Sequence, residues 1–372
     1  MHKAIFLTHP ELLRSEVTGG VQLCSQEFHH IIEQIPDINL SDYFVPYTRK
    51  ISQRLLIKMG MENYSMYDVK KDAPALLEHI QKNGIDIVFM NMSSMVRYAR
   101  PIREAFGPRV KIVLLSHGNH SGDFLHLLTK PLGRPSAIRR MLDKIRLGML
   151  IATESGHRVR YLDGVVALSE TEKQIENWFG AKKTSFLPRR LYAEFLPHDP
   201  VPGRVGFVGR LDHPPNLQGI SLLLDQIKPE VHRSVSFRLV GAPESFGRDL
   251  QKRYPFIEYL GELSDAGLEK EVATWSIFLN PVWWYSTGAS TKLARAISWG
   301  VPILSTTAGM RGYRWKEGAL LVADTPEEMA GVLLRVAPDA TQVRHWAEQT
   351  RLIAVNGPSM EDLAAQIKYI YQ

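Results

Sequence analysis

One pattern constrains this chain more than any other, and it occurs twice. Short apolar runs alternate with stretches whose apolar residues recur at helical spacing. In the first half the runs are Ala4–Leu7, Ile85–Met90, Val110–Leu115, Gly164–Leu168 and the shorter Thr184–Leu187. In the second half they are Arg204–Val208, Ser236–Val240, Ile257–Leu260, Ser276–Asn280, Pro302–Ser305 and Ala319–Val322. Val21, Leu23, Phe28, Ile31 and Ile32 predict a helix after Gly19-Gly20, and Asn216–Ile227, Lys292–Trp299 and Ser359–Tyr371 predict others. Uniformly apolar strands separated by helices belong in parallel sheets covered on both faces. The expectation is therefore an α/β chain with two doubly wound, Rossmann-like domains. Pro197, Pro200, Pro202 and Gly203 mark Tyr192–Gly203 as the linker. This divides the chain into a first domain over 1–195, a second over 196–355, and a final helix over 356–372 expected to pack back on the first domain. Open sheets of this kind bind ligands at the carboxyl ends of their strands, so a shared central cleft is expected.

The rest of the composition narrows the function classes. The 372 residues include one cysteine, Cys24, so there is no internal disulfide and no cysteine-built metal site. Together with an N-terminus that reads as a strand, not a signal peptide, this predicts a cytoplasmic protein. No apolar run approaches the ~20 residues of a membrane span. The net charge of +6 favours anionic partners. Lys130, Arg134, Arg139, Arg140, Lys144, Arg146, Arg158 and Arg160 interleave with Ile138, Met141, Leu142, Ile145, Leu147 and Met149. Arg49, Lys50, Arg54 and Lys58 do the same with Ile51, Leu55, Leu56 and Ile57. Such basic amphipathic helices either lie on an anionic membrane or present an ordinary solvated face. Nucleic acid is disfavoured, because no aromatic stacking platform accompanies the charge.

Four motifs at predicted strand ends can carry chemistry. Thr18-Gly19-Gly20 allows close backbone approach to a phosphate or sugar, or makes a tight turn needing positive φ. It lacks the Gly-x-Gly-x-x-Gly pattern, which argues against a nicotinamide oxidoreductase. Gly209-Arg210 ends a strand; the guanidinium fork suits a diphosphate, or pairs with Asp212. Ser286-Thr-Gly-Ala-Ser-Thr-Lys292 puts hydroxyls, a glycine and a lysine before a helix, as an anion nest or as an N-cap through Ser290 or Thr291. Ser116-His117-Gly118 offers a histidine for a sugar hydroxyl or a proton, or a packed turn residue. His117, His120 and Asp123 match no dependable zinc spacing.

In order, these pieces resemble the GT-B glycosyltransferases, specifically their retaining family 4. The resemblance rests on Gly19-Gly20-Val21, Asp163-Gly-Val-Val-Ala-Leu-Ser169 and Val205-Gly-Phe-Val-Gly-Arg-Leu211. It continues through Leu239-Val-Gly-Ala-Pro-Glu244, Tyr259-Leu-Gly-Glu-Leu263, Pro281, Lys292-Leu-Ala-Arg-Ala-Ile-Ser-Trp-Gly-Val-Pro302, Ser305-Thr-Thr-Ala-Gly309 and Gly312. It implies a GT-B fold and sugar transfer from a nucleotide-sugar to a glycan or lipid-linked acceptor, retaining and metal-independent, with no cofactor beyond the co-substrate. It also implies a setting in cell-surface polysaccharide or glycoconjugate synthesis at the inner membrane face.

Residue by residue, the resemblance makes Arg210, His117 and Lys292 the catalytic group, with Arg210 on the donor diphosphate and His117 beside the donor sugar. It puts Gly19, Gly20, Gly209 and Gly241 near the nucleotide-sugar, and Gly261, Glu262 and Leu263 on the base. Thr287, Gly288, Ala289, Ser290 and Thr291 form the phosphate loop. Arg295 stands where the family often has a ribose-gripping glutamate, and a cation cannot accept those hydrogen bonds. Thr287 falls near another acidic position, and Leu211-Asp-His-Pro-Pro-Asn216 replaces the usual lysine after Gly-Arg. Either the nucleotide is held differently, with Arg295 on phosphate, or the chain is a non-catalytic or partner-dependent binding subunit. A sugar-nucleotide epimerase would need a carboxylate pair that the sequence does not offer.

Overall fold

The computed structural model describes residues 1–14, 19–58, 66–129, 136–227, 234–285 and 288–372. Lys130, Arg134 and Thr287 lie outside the described residues. The chain divides into two compact units. Unit 1 comprises Met1–Pro188, Tyr285–Gly288 and Ser359–Gln372; unit 2 comprises Arg189–Trp284 and Ala289–Pro358.

Unit 1 carries a six-stranded parallel sheet in the order β2-β1-β3-β4-β5-β6. Its strands are β1 (His2–Thr8), β2 (Ile38–Phe44), β3 (Ile87–Asn91), β4 (Lys111–Leu115), β5 (Gly164–Ala167) and β6 (Thr184–Phe186). Its helices are α1 (Gly20–Glu33), α2 (Ile51–Lys58), α3 (Val69–Asn83), α4 (Ala99–Phe106), α5 (His120–Thr129), α6 (Ala137–Arg160) and α7 (Glu170–Trp178). The five buried residues of β3 explain its legible apolar run. By contrast β2 (Ile-Asn-Leu-Ser-Asp-Tyr-Phe) is an edge strand with only Ile38 buried, so it carries no apolar run and the sequence reading passes over it.

Both faces of this sheet are covered. One packs Ile5, Leu7, Val88, Met90, Ile112 and Leu114 against α3 and α4 residues such as Leu76, Ile80 and Ile102. The other packs Ala4, Phe6, Phe89 and Val113 against Phe28, Ile31 and Ile32 of α1. The final helix, α14 in chain order (Met360–Tyr371), adds Leu363, Ile367, Ile370 and Tyr371 to this second core. A capping box between Ser359 and Asp362 starts that helix.

Unit 2 carries a second six-stranded parallel sheet, ordered β12-β11-β10-β7-β8-β9. Its strands are β7 (Val201–Val208), β8 (Ser236–Val240), β9 (Ile257–Gly261), β10 (Trp275–Asn280), β11 (Ile303–Ser305) and β12 (Leu321–Val322). The helices are α8 (Pro214–Leu224), α9 (Glu244–Arg253), α10 (Asp265–Val272), α11 (Thr291–Trp299), α12 (Pro326–Val336) and α13 (Ala340–Val355). Because β7 begins at Val201, the last residues of the expected linker already pair in the sheet. Gly203 is needed there: its φ is 77°, and an added Cβ would lie 2.2 Å from the Ser234 carbonyl oxygen.

Each strand order contains one reversal of direction. In unit 1 it falls between β1 and β3, and in unit 2 between β7 and β10. The crossovers on either side of such a point leave opposite faces of the sheet, so a crevice opens at the carboxyl ends of those two strands.

Candidate functional site

At the unit 2 crevice, β7 ends in Gly209-Arg210 and β10 leads through Pro281 toward α11. The Asn216 amide joins the two. Its Nδ2 donates to the Arg210 carbonyl oxygen at 2.9 Å, and its Oδ1 accepts from the Lys292 ammonium at 2.5 Å. The ammonium lies 4.4 Å from the centre of the Phe207 ring. Burial pushes the pKa of this amine down to about 7, so the site disfavours the charged form and near neutral pH the amine carries its proton only part of the time. The sequence reading found Lys292 and Arg210 but treated Asn216 only as part of a departure. Its position five residues after Leu211, at the start of α8, was the available signal.

Arg210 itself is exposed and bonded at 3.0 and 2.5 Å to both oxygens of Asp212. An exposed pair of this kind is weak and screened by solvent, so an anion can compete for the guanidinium. Arg295, on the next turn of α11 after Lys292, donates to Asp265 of α10 at 2.7 Å and stacks 4.8 Å from Trp299. Glu269 is a further 4.0 Å neighbour. Thus Arg295 is occupied by α10 in this structure.

The start of α11 has no side-chain cap from its N-cap residue, although the Leu293 N–H bonds the Ser290 carbonyl at 3.0 Å and the Ala294 N–H the Tyr313 hydroxyl at 3.1 Å. Ser290 occupies the N-cap position but makes no side-chain cap; its hydroxyl donates instead to Asn280 Oδ1 at 3.2 Å. Asn280, fully buried at the end of β10, holds Ser305 Oγ at 2.9 Å through its other amide atom. The expected capping role of Ser290 or Thr291 is therefore corrected: Asn280 takes the Ser290 hydroxyl. The first backbone N–H groups of the helix, with Ala289 before them, keep the polarity that favours an anion.

Glycines set the remaining strand ends. Gly241 has φ 139°, donates its N–H to the Gly261 carbonyl at 2.9 Å, and accepts from the Tyr259 hydroxyl at 2.8 Å. A Cβ there would lie 1.9 Å from the Gly209 carbonyl oxygen. Gly241→Ala is expected to destabilise the protein by about 1–3 kcal/mol, because backbone must move to admit it; urea denaturation measures this. Gly261 has φ 75° and leads into Glu262 and Leu263, the latter packed on the core beneath β9 and β10.

The unit 1 crevice is a polar network among buried strands. Asn91, the last residue of β3, donates to Thr8 Oγ1 of β1 and Ser25 Oγ of α1, both at 2.9 Å. Its Oδ1 is thereby turned to His117, which follows β4, at 2.8 Å from Nε2. The amide oxygen can only accept, so His117 donates to it from Nε2. Met92, the next residue, sits at φ 81°, where a non-glycine residue stores strain of ~1–3 kcal/mol. Neither Asn91 nor Met92 was a sequence-level candidate, since both look like the tail of a buried strand.

Gly288 joins this group. Its N–H donates to Glu172 Oε1 at 2.8 Å, its φ is 65°, and a Cβ on it would lie 3.2 Å from the His117 carbonyl oxygen. Glu172 is fully buried in the first turn of α7, where Ser169 Oγ accepts its N–H at 3.1 Å. Ser169-x-x-Glu172 is the capping-box spacing, yet the carboxylate serves Gly288. Gly19 is the N-cap of α1 at φ −72°, with Gly20 following in the helix. The positive-φ reading of that glycine pair is thus corrected: a Cβ at Gly19 would meet only the flexible Gln22 side chain.

The loop carrying His117 is braced from below. Glu154 of α6 accepts from the His120 N–H at 2.9 Å and from the Ser121 hydroxyl. Arg158, one turn on, pairs bidentately with Glu176 of α7 at 2.7 and 2.9 Å, and both side chains are fully buried. Arg158 therefore does not belong to the basic surface that its spacing suggested. Among the described residues no group of three or more His, Cys, Asp or Glu side chains is placed to hold a metal.

Residues 202–339, which contain Arg210, Asn216 and Lys292, match the family described as Glycosyl transferases group 1. No curated protein sequence matches the chain. Among solved structures, sucrose-phosphate synthase from Thermosynechococcus elongatus is 14% identical with a TM-score of 0.69, covering 100% of this chain and 98% of its own. HepE from Anabaena, solved with UDP and glucose, is 15% identical with a TM-score of 0.62, covering 99% and 98%. The lipopolysaccharide outer core galactosyltransferase WaaB is 15% identical with a TM-score of 0.60, covering 99% and 98%. At such identities the likeness is one of fold: this is a GT-B chain with two Rossmann-like units. With the matched segment, it supports a glycosyltransferase.

Proposed function

We propose that the chain moves a sugar from a nucleotide-sugar to a glycan or lipid-linked acceptor, with retention of anomeric configuration and without a metal. The observation that carries this reading is the Lys292–Asn216–Arg210 group at the β7/β10 reversal, inside the segment matched by the glycosyltransferase family. Charge grows on the diphosphate as the sugar departs. Two cations and the N-terminal end of α11 meet that charge in the role a metal would otherwise take. Gly209 and Gly241 let the backbone come close, Gly261 to Leu263 hold the base, and Gly288 to Thr291 lie along the phosphates. In unit 1, His117 stands beside the donor sugar, and Gly19 and Gly20 approach the diphosphate. The acceptor oxygen bonds to the anomeric carbon as the bond to the terminal phosphate oxygen breaks, and that phosphate takes the acceptor's proton. No protein nucleophile is needed. The expected setting is glycoconjugate synthesis at the cytoplasmic membrane face.

HepE is solved with UDP-glucose, which makes a uridine diphosphate donor the first to try. Calorimetry with UDP, GDP and ADP should give binding for at least one, and the matching nucleotide-sugar should release nucleoside diphosphate in a coupled assay. Absence of binding by all three ends the reading. Binding without turnover favours a second one, a binding subunit on a transferase fold. That second reading is motivated by Arg295, which faces Asp265 where a ribose-holding carboxylate would be needed.

A further inference from the structure

A cavity of about 790 Å³ lies within unit 1, away from the His117 network, among the start of α2, the start of α3, the segment entering α4, and the last turns of α6. Its walls carry Lys50, Lys70, Arg97, Arg100 and Arg160 against one lining carboxylate, Asp68, which Lys50 holds at 2.7 Å, while Arg100 pairs with Glu104 at 2.8 Å, so positive charge remains in surplus. A concave wall with this surplus focuses positive potential and selects a polyanion. Tyr67 also lines it; burial raises its phenol well above the usual tyrosine range, so the hydroxyl stays a neutral donor. The α6 wall contains Gly156, where an added Cβ would meet nothing within 4 Å.

The same helix says what kind of anion. Ile138, Met141, Ile145 and Met149 follow one another at intervals of three and four, and the row continues through Ala152 and Gly156 into the cavity wall. In its first half the row is open to solvent: Ile138 is 76% exposed, Met141 62%, Ile145 52% and Met149 63%. Arg140 and Lys144 are exposed on the same helix, and Ile51 and Leu55 are exposed on α2, beside Lys50. One face of α6 is therefore apolar and uncovered at one end and lines a cationic cavity at the other. A free phosphate would use only the second half of that face. An amphiphile uses both, with its alkyl part beside the exposed row and its headgroup among the cations.

We propose that this cavity binds the phosphate headgroup of a membrane lipid while the apolar row of α6 rests in the bilayer surface. The lipid's role as acceptor rests on the transfer reading above, whereas its binding does not. Two double variants at exposed positions separate the parts: Lys70→Glu/Arg160→Glu in the cavity and Met141→Glu/Ile145→Glu on the row. Binding of inorganic pyrophosphate is measured by calorimetry with UDP present to saturate the donor site. Membrane binding is measured by sedimentation with phosphatidylcholine vesicles with and without phosphatidic acid.

Wild type should bind pyrophosphate and the phosphatidic acid vesicles. The cavity variant should lose at least about thirtyfold in both, from ~1 kcal/mol per lost cation. The row variant should keep pyrophosphate and lose the vesicles. Pyrophosphate binding that is absent or equal in wild type and cavity variant overturns the site. Pyrophosphate binding without any preference for phosphatidic acid vesicles, or vesicle binding indifferent to the row variant, overturns the lipid. UDP binding by each variant, measured separately, reports on the donor site and should be unchanged.

Discussion

Lys292→Met is expected to lower nucleotide-sugar turnover about 10²–10³-fold, the usual effect of removing one fixed charge or donor from a developing oxyanion, while leaving the fold at least as stable. The two halves of that expectation have one cause. Desolvation has lowered the amine's pKa to about 7, which means that the site penalises the ammonium when it is empty. Methionine removes the penalty and still packs on Phe207, so urea midpoints should hold or rise. Losing both stability and activity together would point to a structural lysine instead. The sign of the pH dependence follows. Between pH ~7 and ~10.4 the native chain binds fewer protons at this lysine than the unfolded chain, so its contribution to stability rises with pH over that window. Diphosphate binding should run the other way. The anion favours the protonated amine, so binding at pH 7 takes up a proton fraction, and affinity falls by up to about tenfold per unit above pH 7. Calorimetry in buffers of different ionisation enthalpy reads the uptake directly, and the methionine variant should show none from this group.

Arg158→Ala should cost about 3–5 kcal/mol, the range for removing one partner of a buried ion pair. The magnitude comes from Glu176, whose carboxylate would stay fully buried facing an empty space. Asn119, in the loop after β4, donates to Glu176 at 3.5 Å and softens the loss only in part. Replacing the pair together, Arg158→Met/Glu176→Leu, should recover most of the stability. Equilibrium denaturation of the three variants tests this, and a single variant that loses less than about 1 kcal/mol would show the pair to be dispensable. Since the pair and Glu154 brace the loop bearing His117, Arg158→Ala should also lower turnover beyond what its folded fraction accounts for.

These two residues illustrate what a one-dimensional reading can reach. Lys292 was legible because a run of small hydroxyl residues and a lysine before a helix is a local signal for anion binding, and the strand–helix alternation around it is local too. Arg158 was misread because spacing on α6 says which residues share a face, but not that α7 covers part of it. The network of Asn91, Thr8, Ser25 and His117 draws on three strand ends and a helix that are distant along the chain, and β1 meets β3 only through the sheet order. Asn216 became meaningful only when the β7/β10 neighbourhood put Lys292 at its carbonyl. Edge strand β2 stayed hidden for a different reason, since an edge has little apolar surface to announce it.

The last helix has a consequence for synthesis on the ribosome. Gly164 in β5 has no side chain, and a Cβ on it would lie 2.5 Å from the Ile370 methyl; Leu363, Ile367 and Tyr371 close the same core. The N-terminal sheet is thus made early but sealed late, after the 173 residues between Phe186 and Met360 have emerged. During that interval the sheet face that receives α14 is uncovered. Unit 2 is nearly continuous in sequence and can finish first, so the earlier-born half is the one that waits and the one on which a chaperone would act.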